Sequence, residues 1–119
     1  MKIGIPTMGN KGLKELVCEH FGRAPTYTIV DTETNDVRVV ENVSEHMGGT
    51  GTPPEHLSKE GIEIMLASGL GPKAITMFEG FGIEVYVGAS GTVEDTIGLW
   101  KDKKLQVATD ENACRDHRH

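Results

Sequence analysis

The chain has 119 residues, a formal net charge of −6 and 37% hydrophobic residues, with only 5% aromatic residues. This length is enough for one domain with its own apolar core. The negative charge argues against nucleic-acid phosphate or an anionic membrane as the main partner. No apolar run approaches a membrane span, and the chain begins directly on a strand-like stretch. We therefore expect a cytoplasmic protein with reduced thiols.

Short apolar runs predict strands at residues 2–6, 27–32, 37–41, 62–67 and 83–87, with a short final strand at 105–107. Proline at a first helical turn, or a capping residue, predicts helices from 53 to about 61, at 72–81 and at 93–102. Thr92, with Asp95 three residues later, resembles a capping box for the last helix. Strands first, then alternating helices and strands, predict a three-layer α/β domain over residues 1–107, followed by a polar tail at 108–119.

The tail contains Cys114, His117 and His119 in a C-x-x-H-x-H arrangement. Thiolate and imidazole are ligands for soft or borderline metals, but three ligands need a fourth from elsewhere to close a tetrahedral site. The alternative is a charged terminus without a ligand.

A second group of candidates follows the first strand in the sequence "CEHFGRAP". Cys18 and His20 are two residues apart and would point the same way on an extended backbone, so both are candidate metal ligands. The alternative for Cys18 is a small buried apolar side chain. We expect Phe21 to pack into the core, Gly22 to supply an unusual backbone angle, and Arg23 to hold an anion or cap a carbonyl.

The long stretch "HMGGTGTPPEH" combines His46 with Gly48, Gly49 and Gly51. Glycines let a backbone approach a ligand closely, and loops of this length in a compact domain are usually functional or disordered. The spacing of His46 and His56 matches no recognised zinc pattern, and two surface histidines are the alternative.

The segment "SGLGPKA" places Gly69 and Gly71 between a predicted strand and a predicted helix. Free backbone N–H groups at a helix start bind anions. Dinucleotide binding is disfavoured, because the next strand ends "VYVGAS" without the acidic residue that would hold a ribose. A tight strand–helix turn is the alternative without a ligand.

The ordered motifs "HFGRAP", "HMGGTGTPP", "SGLGPKAI" and "GIEVYVGASGTVEDTI" resemble the dinitrogenase iron-molybdenum cofactor biosynthesis family, from residue 1 to about 107. The resemblance implies an RNase H-like α/β/α domain with a mixed five-stranded sheet, three strands of which are antiparallel. It also implies kinship with small carriers or scaffolds for iron–sulfur or molybdenum-containing clusters, and with a protein that holds a molybdenum–copper sulfide cluster. The residues that match the family's motifs are His20, Phe21, Gly22, Arg23, His46, Gly48, Gly49, Gly69, Gly71 and Pro72.

The same fold occurs in nucleases, but nuclease activity is improbable here. Two-metal phosphoryl transfer needs clustered carboxylates, normally with one on the first strand. Residues 2–6 contain no acid, and Asp31 is the only carboxylate at the end of a neighbouring strand.

The leading hypothesis is a non-enzymatic carrier or scaffold for an anionic iron–sulfur or molybdenum-containing cluster, which it passes to a client protein, with no role for nucleic acid or membrane. Its predicted cofactor-binding residues are His20, Gly22, Arg23, His46, Gly48, Gly49, Gly51, Gly69 and Gly71. Its predicted metal ligands are Cys18, His20, His46, Cys114, His117 and His119. One alternative is a metallochaperone that binds zinc, iron or copper through the tail. Another is an interaction domain without a ligand.

Overall fold

A computed structural model describes residues 1–43, 51–109 and Ala113. In chain order the strands are β1 (Lys2–Thr7), β2 (Thr26–Asp31), β3 (Val37–Glu41), β4 (Ile64–Ala67), β5 (Glu84–Val87) and β6 (Gln106–Val107). The helices are α1 (Pro53–Lys59), α2 (Pro72–Gly80) and α3 (Val93–Lys101). Two 3₁₀ turns, Gly12–Lys14 and Phe21–Arg23, lie between β1 and β2.

The strands form one mixed sheet in the order β3-β2-β1-β4-β5-β6. Strands β1, β2 and β3 pair antiparallel, as the family resemblance implies, whereas β1, β4 and β5 run parallel. The expected five-stranded sheet is wrong by one strand. The short run before residue 108 joins the sheet edge, where Tyr86 pairs with Val107 and Val87 with Gln106 in antiparallel register.

Helices cover both faces of the sheet, which confirms the three-layer α/β prediction. On one face Leu57 of α1 and Phe78 of α2 are buried in a cluster with Tyr27 and Met65 of the sheet. On the other face α3 packs on a smaller cluster that includes Ile5. The sheet therefore separates two apolar layers, as the period-2 alternation of its strands requires.

The chain after β6 remains in contact with the core. The N–H of Ala108 donates to the carbonyl of Val85 at 2.9 Å, so the first residue of the predicted polar tail is hydrogen-bonded to the sheet. Ala108 and Ala113 are both buried in the cluster on the α1/α2 face. The division of the chain at residue 107 stays a prediction. Within the described ranges, no helix is both long and apolar enough to cross a membrane.

The predicted capping box of α3 is confirmed. The Thr92 hydroxyl accepts the N–H of Asp95 at 3.1 Å, and the Asp95 carboxylate accepts the N–H of Thr92 at 3.1 Å. These two reciprocal bonds satisfy donors that the first helical turn cannot pair internally. They also fix where the chain turns after β5.

We expect Thr92→Ala to lower the free energy of unfolding by about 1 kcal/mol, because the Asp95 N–H loses its acceptor. Urea denaturation followed by circular dichroism measures the loss. Thr92→Ser keeps a hydroxyl and should retain most of the stability. Equal stability of the alanine variant and the unmodified chain would contradict the role of the cap.

Candidate functional site

Because β1, β4 and β5 are parallel, their carboxyl ends lie on the same side of the sheet. This side, formed by strand ends and not by an outer strand, is called here the carboxyl edge. Helices α2 and α3 follow β4 and β5, so both begin at this edge. Helix α1 precedes β4 and runs antiparallel to this strand. Its far end reaches Gly61, whose missing Cβ would lie 3.7 Å from the Lys2 side chain at the start of β1. All three helices therefore direct their N-termini towards the carboxyl edge.

The three helix starts differ in how their backbone donors are satisfied. Thr52 caps α1 and Thr92 caps α3, each through its hydroxyl. The corresponding residue of α2 is Gly71, which has no side chain to accept a bond. Within the described residues, the N–H groups of Lys73 and Ala74 in the first turn of α2 have no acceptor. Helix α2 therefore presents open donors and its positive dipole end to this edge.

The segment of residues 68–71, called here the Gly69 turn, adds further open donors. Its start is held by the Ser68 hydroxyl, which donates to the carbonyl of Ala89 at 2.7 Å. The N–H groups of Gly69, Leu70 and Gly71 have no acceptor in the described part of the chain. Gly71 has φ −71° and ψ 157°, angles that any residue adopts. Backbone strain thus does not explain this glycine. The absence of a capping side chain at Gly71 instead leaves the N–H groups of Lys73 and Ala74 without a cap.

A short extended segment brings Cys18 to the same edge. Val17 pairs with Thr7, whose other side is occupied by β2, so the segment lies on the β4 side of β1. The Cys18 N–H donates to the carbonyl of Pro6 at 2.8 Å, and the Val17 N–H donates to that of Gly91 at 2.9 Å. The segment thus extends the sheet beyond the ends of β4 and β5.

Cys18 is buried on the α1/α2 face, and its thiol donates to the backbone carbonyl of His20 at 3.6 Å. Both readings of Cys18 from the sequence stay open, because the thiol is packed like an apolar group yet lies directly beneath exposed His20. It is the one thiol that the described residues place at this edge.

The 3₁₀ turn Phe21–Arg23, called here the Phe21 turn, follows directly. Phe21 is buried as predicted, with its ring 5.6 Å from that of Tyr27 and 5.4 Å from that of Phe78. The expectation of an unusual angle at Gly22 is wrong, since Gly22 belongs to an ordinary right-handed 3₁₀ turn. The N–H groups of His20, Phe21 and Gly22 have no acceptor among the described residues.

Arg23 is exposed and makes no ion pair with any residue that the structure describes. Next to it, an open groove of about 480 Å³ lies between Arg23, Cys18 and the exposed side chains of Met8 and Leu16. Met8 and Leu16 thus form an apolar surface at the carboxyl edge, next to Arg23 and to the N–H groups that have no acceptor among the described residues.

The structure therefore brings together several of the residues predicted from the sequence. Cys18, His20, Gly22, Arg23, Gly69 and Gly71 lie at the carboxyl edge, and Gly51 precedes α1 at the same edge. Gly51 has φ 77°, and a Cβ there would lie 2.8 Å from the Glu55 carboxylate. The remaining predicted residues lie outside the described ranges: His46, Gly48, Gly49, Cys114, His117 and His119.

The described residues contain no group of three or more histidine, cysteine or acidic side chains that would hold a metal ion. Cys18 and His20 stay predictions as metal ligands. The sequence did not predict a role for Tyr27 and Asn42, whose buried side chains donate hydrogen bonds to carbonyls of the Phe21 turn. The only signal for Asn42 was a polar residue directly after a strand, which is also an ordinary turn residue.

The sequence model of a protein family, described as dinitrogenase iron-molybdenum cofactor, matches residues 1–103 of this chain. The chain belongs to this family. It is a small α/β protein of a family linked to metal-cluster cofactors, and the resemblance seen in the sequence is confirmed.

Three related proteins support this assignment. An uncharacterized protein of Methanocaldococcus jannaschii is 30% identical over 111 residues, which cover 89% of this chain and 90% of that protein. The apo form of the orange protein from Desulfovibrio gigas superimposes with a TM-score of 0.81 at 28% identity, covering 91% of this chain and 92% of that one. A NifB-like protein from Thermotoga has a TM-score of 0.76 at 30% identity, covering 97% of each chain.

Burial raises the pKa of the Tyr27 hydroxyl above its ordinary value of 10.0, and the nearby Cys18 thiol adds to the rise. The unfolded chain therefore releases this proton at a lower pH than the folded chain does. Stability from Tyr27 is complete below about pH 10 and is lost as the pH rises further.

We expect Tyr27→Phe to remove this component of the alkaline loss. Between about pH 9 and pH 11 the free energy of unfolding of the unmodified chain should fall more steeply than that of the variant. Urea unfolding at a series of pH values measures both slopes, and comparison at pH 7 accounts for the general cost of the substitution. Parallel slopes would contradict a raised pKa at Tyr27.

Proposed function

We propose that this protein is a non-enzymatic carrier or scaffold for an anionic metal–sulfur cluster, iron–sulfur or molybdenum-containing, that it passes to a client protein. The observation that carries the proposal is the set of open backbone N–H donors from the Phe21 turn, the Gly69 turn and the start of α2. They have no acceptor among the described residues, and they lie at the carboxyl edge beside buried Cys18 and exposed Arg23, which pairs with no described acid.

Backbone donors suit the outer atoms of such a cluster. Its sulfides carry negative charge, and hydrogen bonds to sulfur stabilise the cluster and tune its potential. An uncapped helix start adds a positive dipole end and N–H groups that already point outwards. This local field matters because the protein as a whole carries a net charge of −6, which repels an anion at longer range.

The side chains supply charge and at most a few metal ligands. Arg23 and Lys73 are exposed cations at the edge, and the Cys18 thiol is a soft donor directly beneath His20. A carrier must release its cargo, so a site with few protein ligands and many hydrogen bonds fits that task better than a closed ligand set. We propose that the cluster's own sulfides complete the coordination of its metals.

The segment that joins β3 to α1 contains His46, Gly48 and Gly49, and we propose that these residues contribute further contacts. Both of its ends are anchored near the site. Asn42, just after β3, donates to the Phe21 turn, and Thr52 caps α1 at the carboxyl edge.

We propose no catalytic role. One common way to activate a cysteine nucleophile is a base in contact with its sulfur. The Cys18 thiol instead donates to the His20 carbonyl. Transfer of an intact cluster requires only binding and release.

The proposal is tested by anaerobic reconstitution of the full chain with iron and sulfide, with and without molybdate, and with tetrathiomolybdate. Metal content, acid-labile sulfide and visible absorption are measured for the full chain and for a chain that ends at Asn112. We expect both forms to retain a sulfide-containing chromophore, which would assign the cluster to the carboxyl edge. Loss on truncation would make Cys114, His117 and His119 ligands of the cluster.

Two other outcomes would overturn the proposal. Metal retained by the full chain without sulfide, and lost on truncation, would support a metallochaperone that uses the tail. No binding by either form would leave an interaction domain without a ligand.

We expect Arg23→Gln to weaken tetrathiomolybdate binding roughly tenfold, because the variant removes an unpaired cation next to the open donors. Arg38→Gln is the matched control. It removes the same charge from β3, where Arg38 pairs with Glu60 at 2.6 Å. Titration by absorption or calorimetry at fixed ionic strength gives both affinities. Equal weakening by the two variants would reduce the effect to net charge and would argue against a site at Arg23.

A further inference from the structure

Two buried side chains hold the carbonyl side of the Phe21 turn. The Tyr27 hydroxyl donates to the carbonyl of Phe21 at 2.8 Å. The Asn42 side-chain amide donates to the carbonyls of Gly22 at 3.2 Å and Ala24 at 2.9 Å. Tyr27 is 2% exposed and Asn42 is 8% exposed, so these bonds are largely shielded from water.

The orientation of the Asn42 amide follows from its partners. Backbone carbonyls only accept hydrogen bonds, so the amide nitrogen must face Gly22 and Ala24. The same nitrogen lies 3.2 Å from the Tyr27 hydroxyl, which accepts from it and donates onwards to Phe21. The backbone N–H of Asn42 also donates to the carbonyl of Pro25 at 3.1 Å. The Phe21 turn is thus held by hydrogen bonds from Tyr27 of β2 and from Asn42, which directly follows β3.

These hydrogen bonds determine the direction in which the peptide groups of the Phe21 turn point. In a trans peptide the C=O and N–H bonds point in opposite directions. The Phe21–Gly22 peptide has its carbonyl bound to Tyr27, so the Gly22 N–H points away from the core. Binding of the Gly22 and Ala24 carbonyls by Asn42 keeps negative oxygen atoms off the outer side of the turn.

Packing alone does not account for the Tyr27 hydroxyl. The ring of Tyr27 supplies the contact with Phe21, and a phenylalanine would supply the same ring. A buried hydroxyl adds little net stability over an apolar group of the same shape, but it fixes the geometry of what it binds.

We infer that Tyr27 and Asn42 are positioning residues for the proposed site. They turn the Phe21–Gly22 peptide so that its N–H, with those of His20 and Phe21, faces an anionic cargo. The inference rests on the proposed function. It adds that the Phe21 turn is a donor surface because two buried side chains outside that turn occupy its carbonyls.

The test is a titration of ¹⁵N-labelled full-length chain with tetrathiomolybdate, followed by the amide chemical shifts, at a temperature where every variant is folded. In the unmodified chain we expect shifts at the amides of residues 20–22 and of residues 69–71, 73 and 74. In Tyr27→Phe the affinity should fall about tenfold, in Asn42→Ala it should fall further, and in both variants the Gly22 shift should be lost. The shifts of residues 69–71, 73 and 74 should persist in both variants.

Thr28→Val is the matched control. Thr28 is fully buried on the same strand as Tyr27 but on the opposite face, and its hydroxyl bonds to that of Thr7 at 3.0 Å. This variant also loses one buried hydroxyl, and it should bind as the unmodified chain does, with the same Gly22 shift.

The outcomes separate this inference from the proposed function. Binding by Tyr27→Phe and Asn42→Ala with unchanged affinity and an unchanged Gly22 shift would overturn the positioning role and leave the proposed function intact. Equal weakening by Thr28→Val would also overturn it, because the effect would then be general to buried hydroxyls. No shift in the unmodified chain would overturn the proposed function, and this inference with it.

Discussion

The parallel pairing of β1 with β4 is the interaction on which the rest of the structure depends. Ile3 lies opposite Ile64 and Gly4 opposite Met65, which sets the register between the antiparallel and parallel halves of the sheet. The register suits a glycine at position 4, because a Cβ there would lie in tight contact, 3.0 Å from the Ile62 side chain and 3.3 Å from the Met65 sulfur. With β1 and β4 side by side, the turn that follows each strand is brought to one edge.

That edge has an unusual balance of backbone donors and acceptors. Most buried or helical N–H groups in folded proteins find an acceptor. Among the described residues, several N–H groups of the Phe21 turn and the Gly69 turn instead have no acceptor, while carbonyls of the Phe21 turn accept bonds from Tyr27 and Asn42. The anionic ligand proposed above would satisfy these donors with charge-assisted bonds.

The acidic surface and the donor edge fit one task together. A net charge of −6 disfavours nonspecific binding to nucleic acid and other polyanions. Under the proposed function, the backbone dipoles and Arg23 would attract a small anion at close range. Hydrogen bonds from the backbone are individually weak, so such a site would release its cargo when a partner offers stronger ligands.

The sequence by itself determined the local elements. Periodic apolar residues located the strands and helices, Thr92 with Asp95 specified a capping box, and Gly-x-Gly-Pro marked the uncapped start of α2, because burial and capping depend on residues a few positions apart. The order of motifs also determined the family. The apolar run at 105–107 predicted the sixth strand, which the five-stranded sheet implied by the family resemblance omitted.

Only the tertiary structure decided which turns meet and which donors stay open. The Phe21 turn is oriented by Asn42, 20 residues from Gly22, and Cys18 reaches the carboxyl edge through a bond to Pro6. Such side-chain and backbone bonds leave no periodic trace, because they depend on the register of strands that are far apart in the chain. The sequence therefore named candidate residues, and the pairing of β1 with its neighbours brought several of them, among them Cys18, Gly22 and Gly69, to one edge.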